Sequence, residues 1–204
     1  MTKSATPSRA PQPLVLASSS PRRQELLRRA GIDFEARAPS VSEARKPGES
    51  PQAFVLRLAR EKALDVARKC ASGRLVLGAD TVVVVDEEAL GKPASAEEAF
   101  HMLRRLSGRT HRVLTGICVV RAGEQVEELV SEETRVTLRS LEDAEIPDYV
   151  NSGEPLDKAG GYGIQGLARK FVTRIEGCYS NVVGLPVARV YGILKRLPES
   201  NLIP

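Results

Sequence analysis

Aromatic side chains are scarce in this chain. Phe, Trp and Tyr make up 4% of its 204 residues, and Trp is absent. The core must therefore be built from Val, Leu, Ile and Ala. The same shortage argues against a grip on single-stranded nucleic acid, which stacks bases on aromatic rings. Cysteine is sparse too. Cys70, Cys118 and Cys178 are odd in number and show no CxxC spacing, which argues against a disulfide framework or a structural zinc site. The two histidines, His101 and His111, are too few for a His-rich metal centre. No apolar run reaches membrane-spanning length and no signal-peptide core follows the N-terminus, so a reducing cytoplasm is the expected location. The chain also lacks GxxxxGK[ST] and a strand–GxGxxG–helix unit. A nucleotide site here would use neither of those phosphate cradles.

What is present suits a sizeable α/β domain or two small lobes sharing a sheet. The net charge of +4 favours anionic ligands without requiring nucleic acid. Residues 1–12 mix Pro, Ser, Thr and Lys without periodicity and read as a disordered tail ahead of a single domain over 13–200. Leu14–Ala17 reads as a short buried strand. Ser20 reads as an N-cap with Pro21 at the first helical position, and Gly31 ends that helix. Ser50-Pro51 repeats the signal, predicting a helix toward Cys70. Residues 75–86 form a strand-like run with Gly78 and Asp80 inside it, followed by a Gly91-Lys92-Pro93 loop. Ser95 opens a helix with an apolar stripe of Ala99, Met102, Leu103 and Leu106. Residues 111–120 and 126–138 flank a Gly123-Glu124 turn and read as a hairpin.

Helical signals over 141–151 include Pro147, which should kink or shorten that helix. Residues 153–170 are glycine-rich and read as a functional loop. A strand over 171–175 follows, then a helix after Pro186 with Val187, Val190, Tyr191 and Leu194 on one face. This alternation of helices and strands predicts a mixed sheet flanked by helices.

Several charges stand where local rules disfavour them. Arg22 and Arg23 fall in the first turn of a helix, where a cation opposes the macrodipole at a cost of about 0.3–1 kcal/mol. A bound anion reverses that sign. Arg23 also shares a face with Leu26, Leu27 and Ala30, so it should point toward the protein. Solvation or pairing with Glu25 is the alternative. Lys62 ends the stripe Val55, Leu58, Ala59; it either snorkels or lines a cleft and reaches a phosphate. Asp80 lies within Leu75-Val76-Leu77-Gly78-Ala79-Asp80-Thr81-Val82-Val83-Val84-Val85. A carboxylate is costly in a buried strand unless paired or metal-bound, which makes Asp80 the strongest candidate for chemistry. A bend opened by Gly78 is its alternative. Glu43 is a second candidate oxygen ligand. Lys92 and Lys158 stand in glycine-containing loops that let backbone N–H groups approach an anion.

These residues sit in segments that match a known family. The chain resembles the Maf nucleotide pyrophosphatases from about Leu14 to Leu194. The matching segments are Leu16-Ala17-Ser18-Ser19-Ser20-Pro21-Arg22-Arg23, Arg60-Glu61-Lys62-Ala63, Gly78-Ala79-Asp80-Thr81, Gly91-Lys92-Pro93, Leu106-Ser107-Gly108, the run from Asp157-Lys158-Ala159-Gly160-Gly161 through Tyr162-Gly163-Ile164-Gln165-Gly166, and Val183-Gly184-Leu185-Pro186. Gly161 and Pro147 depart from the family pattern.

The resemblance implies a Maf/ITPase-like α/β fold: an elongated twisted mixed sheet flanked by helices, with two lobes and a central cleft. It implies metal-dependent cleavage of nucleoside triphosphates to the monophosphate and diphosphate. Asp80 becomes the catalytic proton acceptor. Ser18, Arg23, Lys62 and Lys92 become phosphate-binding residues, and Glu43 joins them in the cleft. Arg22, Thr81 and Gln165 match the branch that acts on dTTP and UTP. The Gln165 amide offers donors and an acceptor to the O2, N3 and O4 edge of such a base. Hard oxygen ligands without a His/Cys cluster favour Mg²⁺ or Mn²⁺ as cofactor, held by Glu43 and Asp80; whether Asp80 is base, ligand or both stays open. The expected partner is the triphosphate, with no nucleic acid or membrane, and homodimer formation is left open. Disposal of non-standard nucleotides or a link to cell-division arrest is the implied role. The rival is a nucleotide-binding regulator without turnover, against which the two carboxylates argue, since anion binding alone gains nothing from them.

Overall fold

The computed structural model describes residues 13–124 and 126–197. The expected tail over 1–12 lies outside them. Seven strands form one mixed sheet. They are β1 (Leu14–Ala17), β2 (Phe34–Ala36), β3 (Leu75–Val85), β4 (Glu88–Leu90), β5 (Thr110–Arg121), β6 (Val126–Leu138) and β7 (Val172–Glu176). The order is β2-β1-β3-β5-β6-β7, with β4 on β3. β1 is parallel to β2 and β3, and the remaining pairs are antiparallel. The helices are α1 (Pro21–Arg29), α2 (Pro51–Ala67), α3 (Ala96–Leu106), α4 (Glu145–Asn151), α5 (Tyr179–Val183) and α6 (Val187–Arg196). This is the mixed α/β sheet that the alternation predicted. Among the described residues no helix is long and apolar enough to cross a membrane.

Strand periodicity sorts the core. Val15, Val76, Cys118 and Val120 point to one face and pack on Ala59, Ala63 and Val66 of α2. Leu16, Leu77, Ile117 and Val119 point to the other and pack on Leu27 of α1 and on Val190, Ile193 and Leu194 of α6. With helices on both faces, β1 and β3 read as continuous apolar runs rather than alternating ones. A further cluster joins Val83, Val136, Ile146 and Phe171 to the stripe Ala99, Met102, Leu103 and Leu106 of α3.

Two glycines set how close α2 lies. A Cβ on Gly78 would stand 2.2 Å from the Ala59 carbonyl oxygen, and one on Gly116 2.2 Å from that of Val55. Only glycine lets the helix backbone settle directly on β3 and β5. Asp80 follows Gly78 by two residues, so it faces α2; Thr81 faces the opposite side. On that edge of β3, β1 ends opposite Gly78 and β4 ends, with Leu90, opposite Val83. Residues 79–82 therefore have no strand neighbour there. The site opens in this gap, beyond the carboxyl end of β1, where open α/β sheets place their ligands.

Some local expectations hold and others are corrected. α2 runs toward Cys70 as expected and ends at Ala67. Ser50 caps it by accepting from the Ala53 N–H at 3.2 Å, whereas the Ser20 side chain makes no capping bond. The hairpin β3–β4 was not predicted. Its turn holds Asp86 and Glu87 at φ 52° and 59°, positions that usually announce themselves with Gly or Asn. Pro147 lies in the first turn of α4, where a missing N–H costs nothing, and the helix is short, one of the two outcomes expected for it. Residues 153–170, read from the sequence as a functional loop, carry three 3₁₀ turns, Glu154–Asp157, Ala159–Gly161 and Leu167–Phe171. α5 was missed. On α6, Tyr191 is exposed and Ile193 takes the inward place.

Candidate active site

A cleft of about 660 Å³ occupies the gap beside β3. Asp80 is 7% exposed at its floor. Lys62, one face of α2 above it, places its Nζ 2.6 Å from Asp80 Oδ1 and 2.6 Å from Glu43 Oε1. Lys62 therefore does not snorkel; it is buried between two carboxylates. Burial raises the Asp80 pKa above the ordinary carboxylate range, against the opposing pull of Lys62 and Arg23. Glu43 stands on an exposed segment. Partial burial pushes its carboxyl up, but the Lys62 hydrogen bond and the charges of Lys62, Lys92 and Arg23 together bring it below its usual value.

Arg23 points inward as its position on the stripe predicted. Its Nε donates to the Gly184 carbonyl at 2.8 Å, Nη1 to Ser18 Oγ at 3.3 Å and Nη2 to Thr81 Oγ1 at 3.1 Å. Those bonds use three of the five guanidinium N–H groups, leaving two for a ligand. Burial lowers its pKa, with Asp80 and Glu43 opposing. Thr81 Oγ1 lies 2.9 Å from Thr115 Oγ1 and donates to the Gly184 carbonyl at 3.2 Å. Ser18 Oγ also accepts the Ser20 N–H at 3.2 Å, which curls the segment between β1 and α1.

Arg22 turns the other way. It donates to Asp157 Oδ2 at 2.8 Å and to the Asp157 carbonyl at 2.9 Å, tying α1 to the first 3₁₀ turn. Neither arginine pairs with Glu25, whose partners are Arg29 and Arg28. Lys158 donates to Asp157 Oδ1 at 2.6 Å and to the Glu154 carbonyl at 2.7 Å. Lys92 and Gln165 line the cleft, both exposed, and neither side chain is bonded to a described residue. The Lys92 loop is tied to the glycine-rich segment by Gly160 N–H donating to the Gly91 carbonyl at 2.9 Å.

All nine candidate residues thus line one cleft, although they come from six separate stretches of chain. Asp157, Thr115 and the Gly184 carbonyl were not singled out as candidates. Asp157 stood in a matching segment but its link to Arg22 spans 135 positions, and a backbone acceptor leaves no trace in residue type.

The donor set fits a divalent cation in part. Among the described residues no three His, Cys, Asp or Glu gather as a metal cage. Asp80 and Glu43 nonetheless reach one cation, the Lys62 ammonium, from two sides. Mg²⁺ commonly takes one or two carboxylates and completes its shell with water and substrate phosphates.

The chain is similar to known proteins over its whole described length. A family model described as "Maf-like protein" matches residues 13–197. A dTTP/UTP pyrophosphatase of Koribacter versatilis (strain Ellin345) is 51% identical over 183 residues, 90% of this chain and 93% of that protein. Another, from Symbiobacterium thermophilum, is 52% identical over 183 residues, with 90% and 93% covered. One from Escherichia coli O157:H7 is 51% identical over 181 residues, with 89% and 91% covered. Among solved structures, the Staphylococcus aureus Ham1 protein aligns with a TM-score of 0.41 at 13% identity, over 62% of this chain and 72% of that one; a likeness that slight has no bearing on chemistry. With its whole described length matched and its segments converging on one cleft, this chain belongs to the Maf-like protein family.

Proposed function

We propose that the chain is a nucleoside triphosphate pyrophosphatase that hydrolyses dTTP and UTP to the monophosphate and diphosphate. The observation that carries the reading is the buried Asp80 carboxylate, held by Lys62 and facing a cleft lined by cations. Relatives at about half identity over nine-tenths of the chain carry the name dTTP/UTP pyrophosphatase, which supports the substrate assignment.

In this reading the phosphates lie against Ser18, Arg23, Lys62 and Lys92, and the base lies toward Gln165. Water attacks the α-phosphorus, its proton passes to Asp80, and the bridging oxygen leaves with the diphosphate. A raised pKa makes Asp80 a stronger proton acceptor than a surface carboxylate. Lys62 keeps the buried group ionised until that moment. The charge moving onto the leaving diphosphate is met by Arg23, Lys62 and Lys92, already fixed in place. Arg22, Thr81 and Gln165 select the base, Arg22 by strapping the 3₁₀ turn at Asp157 to α1. A divalent cation, Mg²⁺ or Mn²⁺, held by Asp80 and Glu43, would add charge neutralisation at the phosphates.

The test is a nucleotide panel with Mg²⁺ in which diphosphate is detected directly. Release from dTTP and UTP, with little from purine triphosphates, is expected. Tight nucleotide binding with no diphosphate from any member would instead identify a regulator without turnover.

A further inference from the structure

Gln165 sits in a glycine-rich segment between two 3₁₀ turns, where one local backbone bond, from the Gly166 N–H to the Gly163 carbonyl at 3.0 Å, closes a turn across it. Glycine occupies positions 160, 161, 163 and 166 around it, and its side chain is bonded to no described residue. Yet the backbone on both sides is fixed from outside the cleft. The Gly163 N–H donates to Tyr149 Oη at 3.2 Å, and the Leu167 N–H donates to Glu154 Oε2 at 2.8 Å. Tyr149 Oη in turn donates to Glu154 Oε1 at 2.8 Å. The two anchored amides lie two residues before and two after Gln165.

The fit is close. A Cβ on Gly166 would stand 2.3 Å from Glu154 Oε1, and one on Gly163 3.1 Å from the same atom. The hub is rooted in the core. Tyr149 is 3% exposed, and its ring meets Phe171 edge to face at 5.4 Å between centroids. Neither Tyr149 nor Glu154 lines the cleft.

We propose that Tyr149 and Glu154 are positioning residues for base selection: they clamp the segment on either side of Gln165 and so fix where its amide meets the pyrimidine edge, without touching the substrate. The proposal rests on the pyrophosphatase reading above. Its physical basis is that a glycine-rich backbone sampling many conformations would present the amide at a fraction of its binding-competent geometry, and apparent affinity falls by that fraction.

Tyr149→Phe keeps the ring packing and removes only the oxygen that receives Gly163 and bonds Glu154. The expected result is a KM for dTTP raised on the order of tenfold, with kcat within about twofold. The ratio of dTTP to dCTP turnover should fall. Inhibition by inorganic tripolyphosphate, which has phosphates but no base, should be unchanged. Glu154→Gln should retain more selectivity than Glu154→Ala. Thermal melts of each variant separate positioning from folding. An unchanged dTTP/dCTP ratio in Tyr149→Phe overturns the proposal, as does tripolyphosphate inhibition that weakens in step with dTTP. Failure of the underlying function would look different: the wild type would release no diphosphate at all, and dTTP binding by calorimetry would still report on the clamp.

Discussion

Lys62 lies between two carboxylates in the cleft. Its buried ammonium answers two carboxylates at 2.6 Å each. Removing one partner of such a pair leaves an uncompensated buried charge, which costs more than the pair itself contributes. Lys62→Met should therefore lower stability by up to about 3 kcal/mol, and Lys62→Met with Asp80→Asn should recover much of it. Denaturant melts of the single and double variants check this; additive losses would contradict the pairing. At the cleft rim, Gln165→Glu replaces two donors with an acceptor-only group facing the carbonyl edge of the base. The KM for dTTP should rise about tenfold or more, while tripolyphosphate inhibition holds. Asp80 was legible in the sequence because a carboxylate inside a valine run breaks a rule. Arg23 was legible because it broke another, at the wrong end of a helix. Lys62 was ambiguous, since a lysine closing an apolar stripe usually reaches solvent; its burial depends on Glu43, which a loop delivers from 19 positions away in a direction no periodicity encodes.

At the scale of elements, the distance between α2 and the sheet decides whether Lys62 meets Asp80. Gly78 and Gly116 set that distance, each leaving room for a helix carbonyl where a methyl group would stand. Gly78→Ala should force α2 outward, costing about 1–3 kcal/mol from overpacking and a larger share of activity than of stability. Thermal melts beside turnover measurements test it, and a fully active Gly78→Ala enzyme would refute the link. α1, α2, α3 and the β5–β6 hairpin were readable from caps, proline positions and apolar stripes. β4 and α5 were not. β4 has three residues and a turn that places Asp86 and Glu87 at positive φ without a glycine. α5 has five residues and no side-chain cap, so it exists only through the packing around it.

Across the whole molecule, stability and activity should respond to acid through different groups. His111 is buried, its Nε2 2.7 Å from Tyr162 Oη, and burial lowers its pKa from 6.5 to about 4. The unfolded chain binds this proton more readily, so stability from this group is complete above pH 6.5 and is lost as pH falls from there to about 4. His111→Gln should flatten that part of the profile. Activity instead needs Asp80 ionised, so its acid limb should lie above the ordinary carboxylate pKa of about 3.9, because burial raises that group. The mixed sheet was foreseeable from the alternation of helices and strands along the chain, and a common cleft for the matched segments only from the family resemblance; the gap that makes the cleft was not foreseeable. It arises because β1 stops at Ala17 while β3 runs on to Val85, a mismatch of strand lengths visible only once the register is known. The central claim, that Asp80 drives cleavage between the α- and β-phosphates, is tested most directly by assaying wild type and Asp80→Asn with dTTP and Mg²⁺ while resolving every product. The wild type should yield dTMP and diphosphate in equal amounts, and Asp80→Asn should lose about 10²–10⁴-fold in kcat while staying folded, its melting temperature lowered only by the loss of the pairing with Lys62. Formation of dTDP and orthophosphate, or near-wild-type turnover by Asp80→Asn, would contradict it.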